Sequence, residues 1–301
     1  MLNNKKIAMG LICAGIVAII AGIIVVITHP SEYSTSVSKA LDEAVARSTF
    51  TRASVSMSDT TIDGKNYRYA AVTDTEFYNN SECIGEGHLI LGSKEKDGTV
   101  EVYALCSLSG YGFRDGMLVD NTGWACIPTL IRFEKTDSGE YIYKEAHEAA
   151  DGGEYVLSVK EMFPKALAEK ALSLQSDDEI RASLSRQCDK YAEAYLKVLG
   201  REAKISSYLK ENFQLLSNFG VSAEVENKLC ELHPEYGFYV GTMEKLELDG
   251  RYVYSIQWNG DDNGNGTVTY TKTRFDTEKV VEKFAYKVEG EKLTEIKPKK
   301  K

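Results

Sequence analysis

The sequence predicts an α+β fold: a single transmembrane helix, then an antiparallel β-meander with helices, then a second, smaller α+β lobe. Three observations lead to this prediction. First, an apolar run lies near the N-terminus. Second, residues 53–157 and the segment from Tyr236 onward consist of β-branched and aromatic runs that are broken by Gly, Asn and Asp. Third, apolar residues recur at helical spacing between those two regions. The connections between the strand-like runs are too short for parallel crossovers.

The composition is that of a folded protein. The chain has 301 residues, and its 36 Lys and Arg against 45 Asp and Glu give a formal net charge of −9. With 43% hydrophobic residues, wholesale disorder and a collagen-like repeat are excluded. An acidic chain lacks the basic footprint of nucleic-acid binding, so we expect no nucleic-acid partner.

The apolar run near the N-terminus extends unbroken from Ile7 to Ile27, directly after Lys5 and Lys6. A helix of about 20 residues spans the hydrocarbon core of a bilayer. The run therefore predicts a transmembrane anchor at residues 7–28, and the positive-inside tendency places the bulk of the chain outside the cell membrane. The alternative is a cleaved signal peptide, whose apolar core is usually shorter and ends in a small-residue cleavage site.

Shifts in composition divide the chain into six predicted segments. They are a cytoplasmic stub (1–6), the transmembrane anchor (7–28), a linker (29–36), an α+β ectodomain lobe (37–200), a second α+β lobe with a C-terminal β-hairpin (201–296) and a basic tail (297–301). We expect the lysine-rich tail to be solvated.

In the first lobe, apolar residues at helical spacing predict an amphipathic helix over residues 37–50. Turn residues then separate five predicted strands, because Gly accepts a positive φ and Asp bonds nearby backbone N–H groups. The predicted strands are Tyr67–Thr73, Gly87–Gly92, Thr99–Ser107, Gly123–Glu134 and Tyr141–His147.

A helical region follows, opened by Phe163 and Pro164. Ser176, with Glu179 three residues later, predicts the capped start of a long helix, and Gly200 is placed to end that helix in a left-handed turn. A shorter helix and three more strands complete the second lobe: Ala223–Leu232, Arg251–Trp258, Thr267–Phe275 and Val280–Val288.

The loop between the first two of these strands carries Asp261, Asn263 and Asn265 at alternate positions, as in the first half of a calcium-binding loop. The position that should supply a bidentate Glu is Lys272, and Asn and Gly also suit a long hairpin turn. The sequence therefore favours a hairpin turn over a weak calcium site. We expect no other metal site and no cofactor.

Five cysteines lie outside the predicted anchor, and an odd number leaves at least one thiol free or paired between chains. Cys106 and Cys126 fall in two neighbouring strand-like stretches and are the best candidates for a disulfide. The alternative is that both are buried thiols, which behave as small apolar side chains.

The motifs that carry chemistry are largely missing, and we predict no catalytic residues. The segment 147–151 resembles the zinc-protease motif H-E-x-x-H, but its last ligand is Asp and it follows a strand. The chain contains no nucleophile elbow, phosphate loop or dinucleotide fingerprint. A rival hypothesis is a cell-envelope hydrolase that uses a pair of carboxylates. Its conceivable acids are Glu86, Glu145, Glu148 and Asp151.

Aromatic residues are the feature that we connect to binding. Tyr and Trp combine a large apolar area with a polar tip, which suits them to ligand and partner surfaces. The alternative is that strand alternation places half of them in the core. The candidates for a binding surface are Tyr111, Phe113, Tyr236, Tyr239 and Trp258.

Several glycine-rich and aromatic stretches stand out together: Glu82–Gly92, Gly110–Gly116, Val159–Pro164, Glu235–Gly241 and Arg251–Tyr254. In combination, over roughly residues 37–290, they resemble the extracytoplasmic C-terminal region of bacterial membrane proteins related to the beta-lactam-sensing antirepressor metallopeptidases. Members of that family carry a multi-helix membrane part with an intact H-E-x-x-H, which this chain lacks. The resemblance therefore implies an exported, sensory module with neither protease activity nor covalent acylation by beta-lactams.

The sequence thus predicts a single-pass, membrane-anchored, non-enzymatic binding or sensory module of a bacterial cell envelope. Its expected partners are the lipid bilayer, through residues 7–28, and an envelope ligand or another membrane protein. The alternatives are the carboxylate hydrolase and a structural assembly subunit.

Overall fold

The structure, a computed structural model, describes residues 36–72, 80–121, 124–207 and 210–297, with side chains for all of these except residues 124 and 125. The described residues belong to one compact unit. None of their helices is both long enough and apolar enough to cross a bilayer. The predicted anchor at residues 7–28 lies outside the described residues, and the division of the ectodomain into two lobes stays a prediction.

The predicted α+β class is confirmed, since helices and one large antiparallel sheet make up the described residues. The helices are α1 (Lys39–Arg52), α2 (Tyr155–Met162), α3 (Lys165–Gln175), α4 (Asp178–Leu199) and α5 (Ala223–Leu232). The strands before α2 are β1 (Met57–Ile62), β2 (Lys65–Ala71), β3 (Cys83–Lys96), β4 (Thr99–Arg114), β5 (Met117–Asp120), β6 (Trp124–Lys135) and β7 (Tyr141–Glu148). Those after α4 are β8 (Ile205–Ser207), β9 (Gln214–Leu215), β10 (Tyr239–Glu247), β11 (Gly250–Gly260), β12 (Gly266–Arg274), β13 (Val280–Glu289) and β14 (Lys292–Glu295).

The sheet is organised around β4. Its main path runs β1-β2-β3-β4-β10-β11-β12-β13-β14. β3 pairs with β4 along its whole length, whereas the opposite edge of β4 pairs first with β6 and then, near its C-terminal end, with β5. Pairing is antiparallel throughout except between β5 and β8. The arrangement therefore departs from a plain meander at β4, which contacts strands from both parts of the chain.

Helix α1 forms because Ser38 caps it and its apolar face meets the sheet. The Ser38 hydroxyl oxygen accepts a hydrogen bond from the Leu41 N–H, at 3.1 Å. Leu41 and Val45 are buried against β4 and β6, where Val102 and Ile131 have no exposed surface. Each such side chain contributes about 1.5–3 kcal/mol through burial. The helix predicted over residues 37–50 is confirmed to within two residues.

Helix α4 crosses β3 at unusually short range, and two glycines of β3 make this approach possible. A Cβ on Gly85 would lie 2.4 Å from the carbonyl oxygen of Cys188, and a Cβ on Gly87 would lie 2.4 Å from that of Leu184. The helix begins one residue later than predicted, because the Asp177 carboxylate, not Ser176, accepts the N–H groups of the first turn. It ends as predicted at Gly200, whose φ is 63°.

A separate core lies between α5 and the strands β10 to β13. Leu229 is fully buried there, as is Val268 on β12. Four aromatic rings fill most of the space between the helix and the sheet: Tyr236, Tyr254, Tyr270 and Tyr286. Tyr236 packs edge-on against both Tyr254 and Tyr270, with ring centroids about 5 Å apart. This core holds β10 in a fixed position beside β4.

We expect Gly85→Ala to destabilise the protein by about 1–3 kcal/mol, because the new methyl group would press on the α4 backbone, which cannot move aside as a flexible side chain does. Urea unfolding measures the change. Gly153→Ala is the matched control, since a Cβ there meets nothing within 4 Å. Equal stability of the two variants would show that α4 does not pack on β3 this closely.

Candidate functional site

Two of the glycine-rich aromatic stretches meet where β4 contacts β10. β4 ends at Arg114, which pairs across the strands with Met243 of β10. The next residue, Asp115, donates its backbone N–H to the Thr242 carbonyl at 3.0 Å and accepts the Thr242 N–H at its carboxylate at 2.6 Å. These bonds fix the end of β4, and with it Arg114, against β10.

A pocket of about 380 Å³ opens at this junction, and we call it the Arg114 pocket. Its wall includes Asn80, Arg114, Asn121, Phe238, Tyr239 and Met243. Gly112 lets the two asparagines approach β4, because a Cβ there would lie 2.5 Å from the Asn80 carbonyl oxygen and 2.7 Å from Asn121 Nδ2. Gly237, with φ 73°, turns the chain so that Phe238 and Tyr239 follow on the pocket wall.

The guanidinium of Arg114 is held by aromatic rings and sulfur rather than by an acid. Its central carbon lies 5.2 Å from the centroid of the Tyr239 ring and 5.7 Å from that of Phe213. Its Nη2 donates to the Met243 sulfur at 3.6 Å, and its Nε is buried without a hydrogen-bond partner. Within the described residues, Arg114 forms no ion pair with a carboxylate.

This arrangement leaves a positive charge incompletely compensated. Burial lowers the pKa of Arg114, and the nearby charge of Asp115 opposes that effect only in part. A thioether is a weak acceptor. A charged group that is half removed from water without a counter-ion costs free energy, and an anion that enters the pocket recovers it. The pocket is therefore suited to bind a negatively charged group.

The other buried charges near the junction are balanced, in an ion network of four residues. Arg251 binds Glu82 with two hydrogen bonds, of 2.5 and 2.6 Å, and bonds Glu244 at 3.0 Å. Arg201 binds both oxygens of Glu244, at 2.7 and 2.9 Å, and its guanidinium stacks 3.8 Å from the centre of the Phe113 ring. Two cations face two anions, so this network has no charge to offer a ligand.

A second buried constellation surrounds His88 on β3. Its Nδ1 lies 3.1 Å from Glu86 Oε2, and its Nε2 lies 3.1 Å from Asp42 Oδ1. Burial alone would lower the pKa of His88, but the hydrogen bonds to Asp42 and Glu86, together with their charges, raise it to about 9. Both ring nitrogens are occupied, so neither is available to accept a proton from a substrate. This site is suited to joining α1 to the sheet.

The five aromatic residues predicted for a binding surface divide into two groups. Tyr111, Phe113 and Tyr236 are at most 2% exposed, so they are core residues that a ligand cannot contact. Tyr239 lines the Arg114 pocket, and Trp258 lines a shallower groove on β10 to β12. A role in binding for Tyr239 and Trp258 stays a prediction.

The proposed Cys106–Cys126 disulfide is not formed, since both thiols are free. Cys106 stands opposite Ile127 and faces the core under α1, whereas Cys126 falls in an irregularity of the ladder and has a φ of 60°. Burial raises the pKa of the Cys126 thiol to about 11, and the nearby charge of Arg181, at the start of α4, partly opposes this effect. The two side chains therefore leave the sheet toward different helices.

In the suggested calcium loop, the side-chain oxygens already accept hydrogen bonds from backbone N–H groups. Oδ1 of Asp261 accepts the N–H groups of Asn263 and Asn265, at 3.0 and 2.9 Å, and Oδ1 of Asn265 accepts that of Gly290, at 3.0 Å. These bonds close the hairpin between β11 and β12. Among the described residues, no group of three or more His, Cys, Asp or Glu side chains is arranged to hold a metal ion.

Three of the four carboxylates of the hydrolase hypothesis are engaged by partners. Glu86 accepts from His88 and Tyr191, Glu145 pairs with Arg132, and Glu148 pairs with Arg52. Asp151 is exposed at the start of the 3₁₀ turn before α2. Glu86 is buried whereas Glu145 is exposed, so these acids do not share one environment.

Arg114 is tested first by its effect on stability. We expect Arg114→Met to leave the free energy of unfolding unchanged or to raise it, because it removes a half-buried cation that lacks a counter-ion. Arg251→Met is the matched comparison and should cost about 3–5 kcal/mol, since it leaves Glu82 buried without its cation. Chemical denaturation of both variants gives the result. A loss at Arg114 as large as that at Arg251 would mean that Arg114 is paired.

The His88 constellation predicts a pH-dependent stability. The folded-state pKa of about 9 lies above the ordinary value of 6.5, so the stability from the charged ring is complete below pH 6.5 and is lost as pH rises through 9. The difference in unfolding free energy between the wild type and His88→Gln should therefore shrink over this interval. Denaturation series at several pH values measure it. A difference that stays constant would contradict the proposed bonds to Asp42 and Glu86.

No family model, no curated protein and no solved structure matches this chain. The resemblance noted in the sequence therefore stays an expectation.

Proposed function

We propose that this chain is a membrane-anchored, non-enzymatic binding or sensory module on the outer face of a bacterial cell membrane, and that its ligand binds in the Arg114 pocket. The observation that carries the proposal is the Arg114 guanidinium, which is half-buried against two neighbouring aromatic rings and has no carboxylate partner among the described residues. Natural proteins retain such destabilising groups mainly where a ligand needs them.

The anchor in this proposal is the apolar run from Ile7 to Ile27, which is long enough for a transmembrane helix. The basic pair Lys5 and Lys6 favours a cytoplasmic N-terminus and an exported body. The glycine-rich aromatic stretches resemble the extracytoplasmic region of membrane proteins related to the beta-lactam-sensing antirepressor metallopeptidases, and this resemblance favours a sensory role. On this proposal, the second α+β lobe belongs to the same exported body.

The reactive side chains are bonded to other groups of the protein or buried, which agrees with a non-enzymatic role. His88 has both ring nitrogens bonded to carboxylates, and the buried acid Glu82 is neutralised by Arg251. Burial raises the pKa of the Cys83 thiol well above its ordinary value, which suppresses the reactive thiolate. These groups serve packing and charge balance rather than proton transfer. No observation favours the hydrolase or the assembly subunit over binding.

The position of the pocket suits a sensor. Its wall combines the end of β4, Asn80 and Asn121 with the segment that leads into β10. The strand pairing between β4 and β10 is short: Arg114 stands opposite Met243, and the bonds between Asp115 and Thr242 extend it by one residue. A ligand that contacts both sides would strengthen this limited contact and so change how firmly the two parts of the sheet are held together.

The membrane part of the proposal is tested by thiol labelling in intact cells. In a Cys230→Ser background, Ser138→Cys places a thiol in an exposed turn of the body, and Asn3→Cys places one before the apolar run. A membrane-impermeant maleimide should label the first in whole cells and the second only after permeabilisation. The reverse pattern would overturn the proposed location.

The binding part is tested on the purified full chain. Fractionated cell-envelope extracts should raise the melting temperature of the wild type but not that of Arg114→Gln. Arg181→Gln, at an exposed arginine of α4, is the control and should respond as the wild type does. Equal responses of the wild type and Arg114→Gln would show that the ligand binds elsewhere.

A further inference from the structure

We infer that the ligand of the Arg114 pocket is a small monocarboxylate whose apolar part lies against Tyr239 and Phe238. This inference rests on the proposed function, since it names the chemical class of ligand for the same pocket. Three observations carry it: the net charge of the pocket wall, the hydrogen-bonding state of the guanidinium, and the aromatic surface at the rim.

The charge of the wall selects a single negative charge. Among the described residues that line the pocket, Arg114 is the one that carries a charge; the asparagines, Pro234, Gly237, Phe238, Tyr239 and Met243 are neutral. A monoanion therefore gives a neutral complex. A phosphate dianion would leave an uncompensated negative charge in a partly desolvated space, where such a charge is costly. The neighbouring Asp115 carboxylate, which is held at Thr242, adds repulsion against a second negative charge.

The guanidinium needs an acceptor that the described residues do not supply. Its hydrogen bond to Met243 goes to sulfur at 3.6 Å, and its Nε has no partner. A carboxylate matches the planar fork of Arg donors and forms shorter, charge-assisted bonds. The amide groups of Asn80 and Asn121, on the same wall, can donate further hydrogen bonds to the carboxylate oxygens.

The rim favours a ligand with an apolar part. Phe238 is 61% exposed, and Tyr239 lies next to it on the pocket wall. An apolar group that covers these rings removes their surface from water and adds favourable contacts. The volume of about 380 Å³ lies near the lower end of the range for small-molecule sites, so the ligand is small.

Three matched probes separate the relevant chemistries: phenylacetate carries one charge, phenylacetamide is its neutral isostere, and phenyl phosphate carries close to two charges. Calorimetry and thermal unfolding on the purified full chain give the affinities. We expect phenylacetate to bind at least about tenfold more tightly than phenylacetamide, since loss of one charge-assisted pair is worth at least that factor. It should also bind more tightly than phenyl phosphate, whose second negative charge finds no counter-ion in the pocket. A tighter complex with phenyl phosphate or phenylacetamide would overturn the inference.

Variants locate the bound carboxylate. Arg114→Gln should abolish phenylacetate binding, and Arg114→Lys, which keeps the charge but loses the planar fork, should weaken it about tenfold or more. Arg181→Gln should bind as the wild type does, and circular dichroism checks that each variant is folded. If Arg114→Gln does not fold, Arg114→Lys alone tests the inference. An unchanged affinity of that variant for phenylacetate would then overturn the inference.

The inference of a monocarboxylate ligand can be wrong while the proposed function is right. If no probe binds while envelope fractions still stabilise the wild type and not Arg114→Gln, the pocket is a ligand site but the ligand is not a small monocarboxylate. If neither the probes nor the fractions act through Arg114, both the inference and the proposed ligand site are wrong.

Discussion

The balance of buried charge where β4 meets β10 is the constraint on which the structure depends. The carboxylates of Glu82 and Glu244 neutralise two guanidinium groups, those of Arg201 and Arg251, within one ion network. Arg114 follows directly after Phe113, the ring on which that network stacks, yet it is excluded from it. Among the described residues at this junction, the other buried charges are thus neutralised, and Arg114 is left without a carboxylate partner. An unpaired cation weakens the free protein, and on the proposed function an anion that binds to it offsets this cost.

The parts of the fold that local chemistry determines could be predicted from the sequence. Helix α4 was expected from apolar spacing and ends at Gly200, and the β11–β12 hairpin was expected from its Asn, Asp and Gly residues. The sequence did not predict α2, which is short and follows two glycines, or β5, which has only four residues. Periodicity needs several repeats before it indicates a structure, and short elements owe their stability to tertiary packing instead. The pairing of β4 with strands from distant parts of the chain has no local signal at all.

Only part of the candidate site could be predicted from the sequence. The aromatic stretches around residues 113 and 238 are recognisable in the sequence, and the structure brings them together. However, Tyr111, Phe113 and Tyr236 are buried in the core. Composition alone does not show which face of the sheet a tyrosine occupies when the ends of its strand are irregular. Arg114 carries no signal of its own in the sequence, because an arginine is unremarkable until its surroundings are known to lack an acid. That lack is a property of the tertiary structure. The sequence signal nearest to it was the position of this arginine inside a glycine-rich aromatic stretch.

The central claim is that the counter-ion of Arg114 comes from outside the chain. A crystal structure of the chain grown with phenylacetate tests this claim most directly. We expect the ligand carboxylate on the Arg114 guanidinium, beside the amides of Asn80 and Asn121, with the ligand ring against Tyr239. An acidic side chain of the protein itself in that position, with the ligand absent from the pocket, would contradict it.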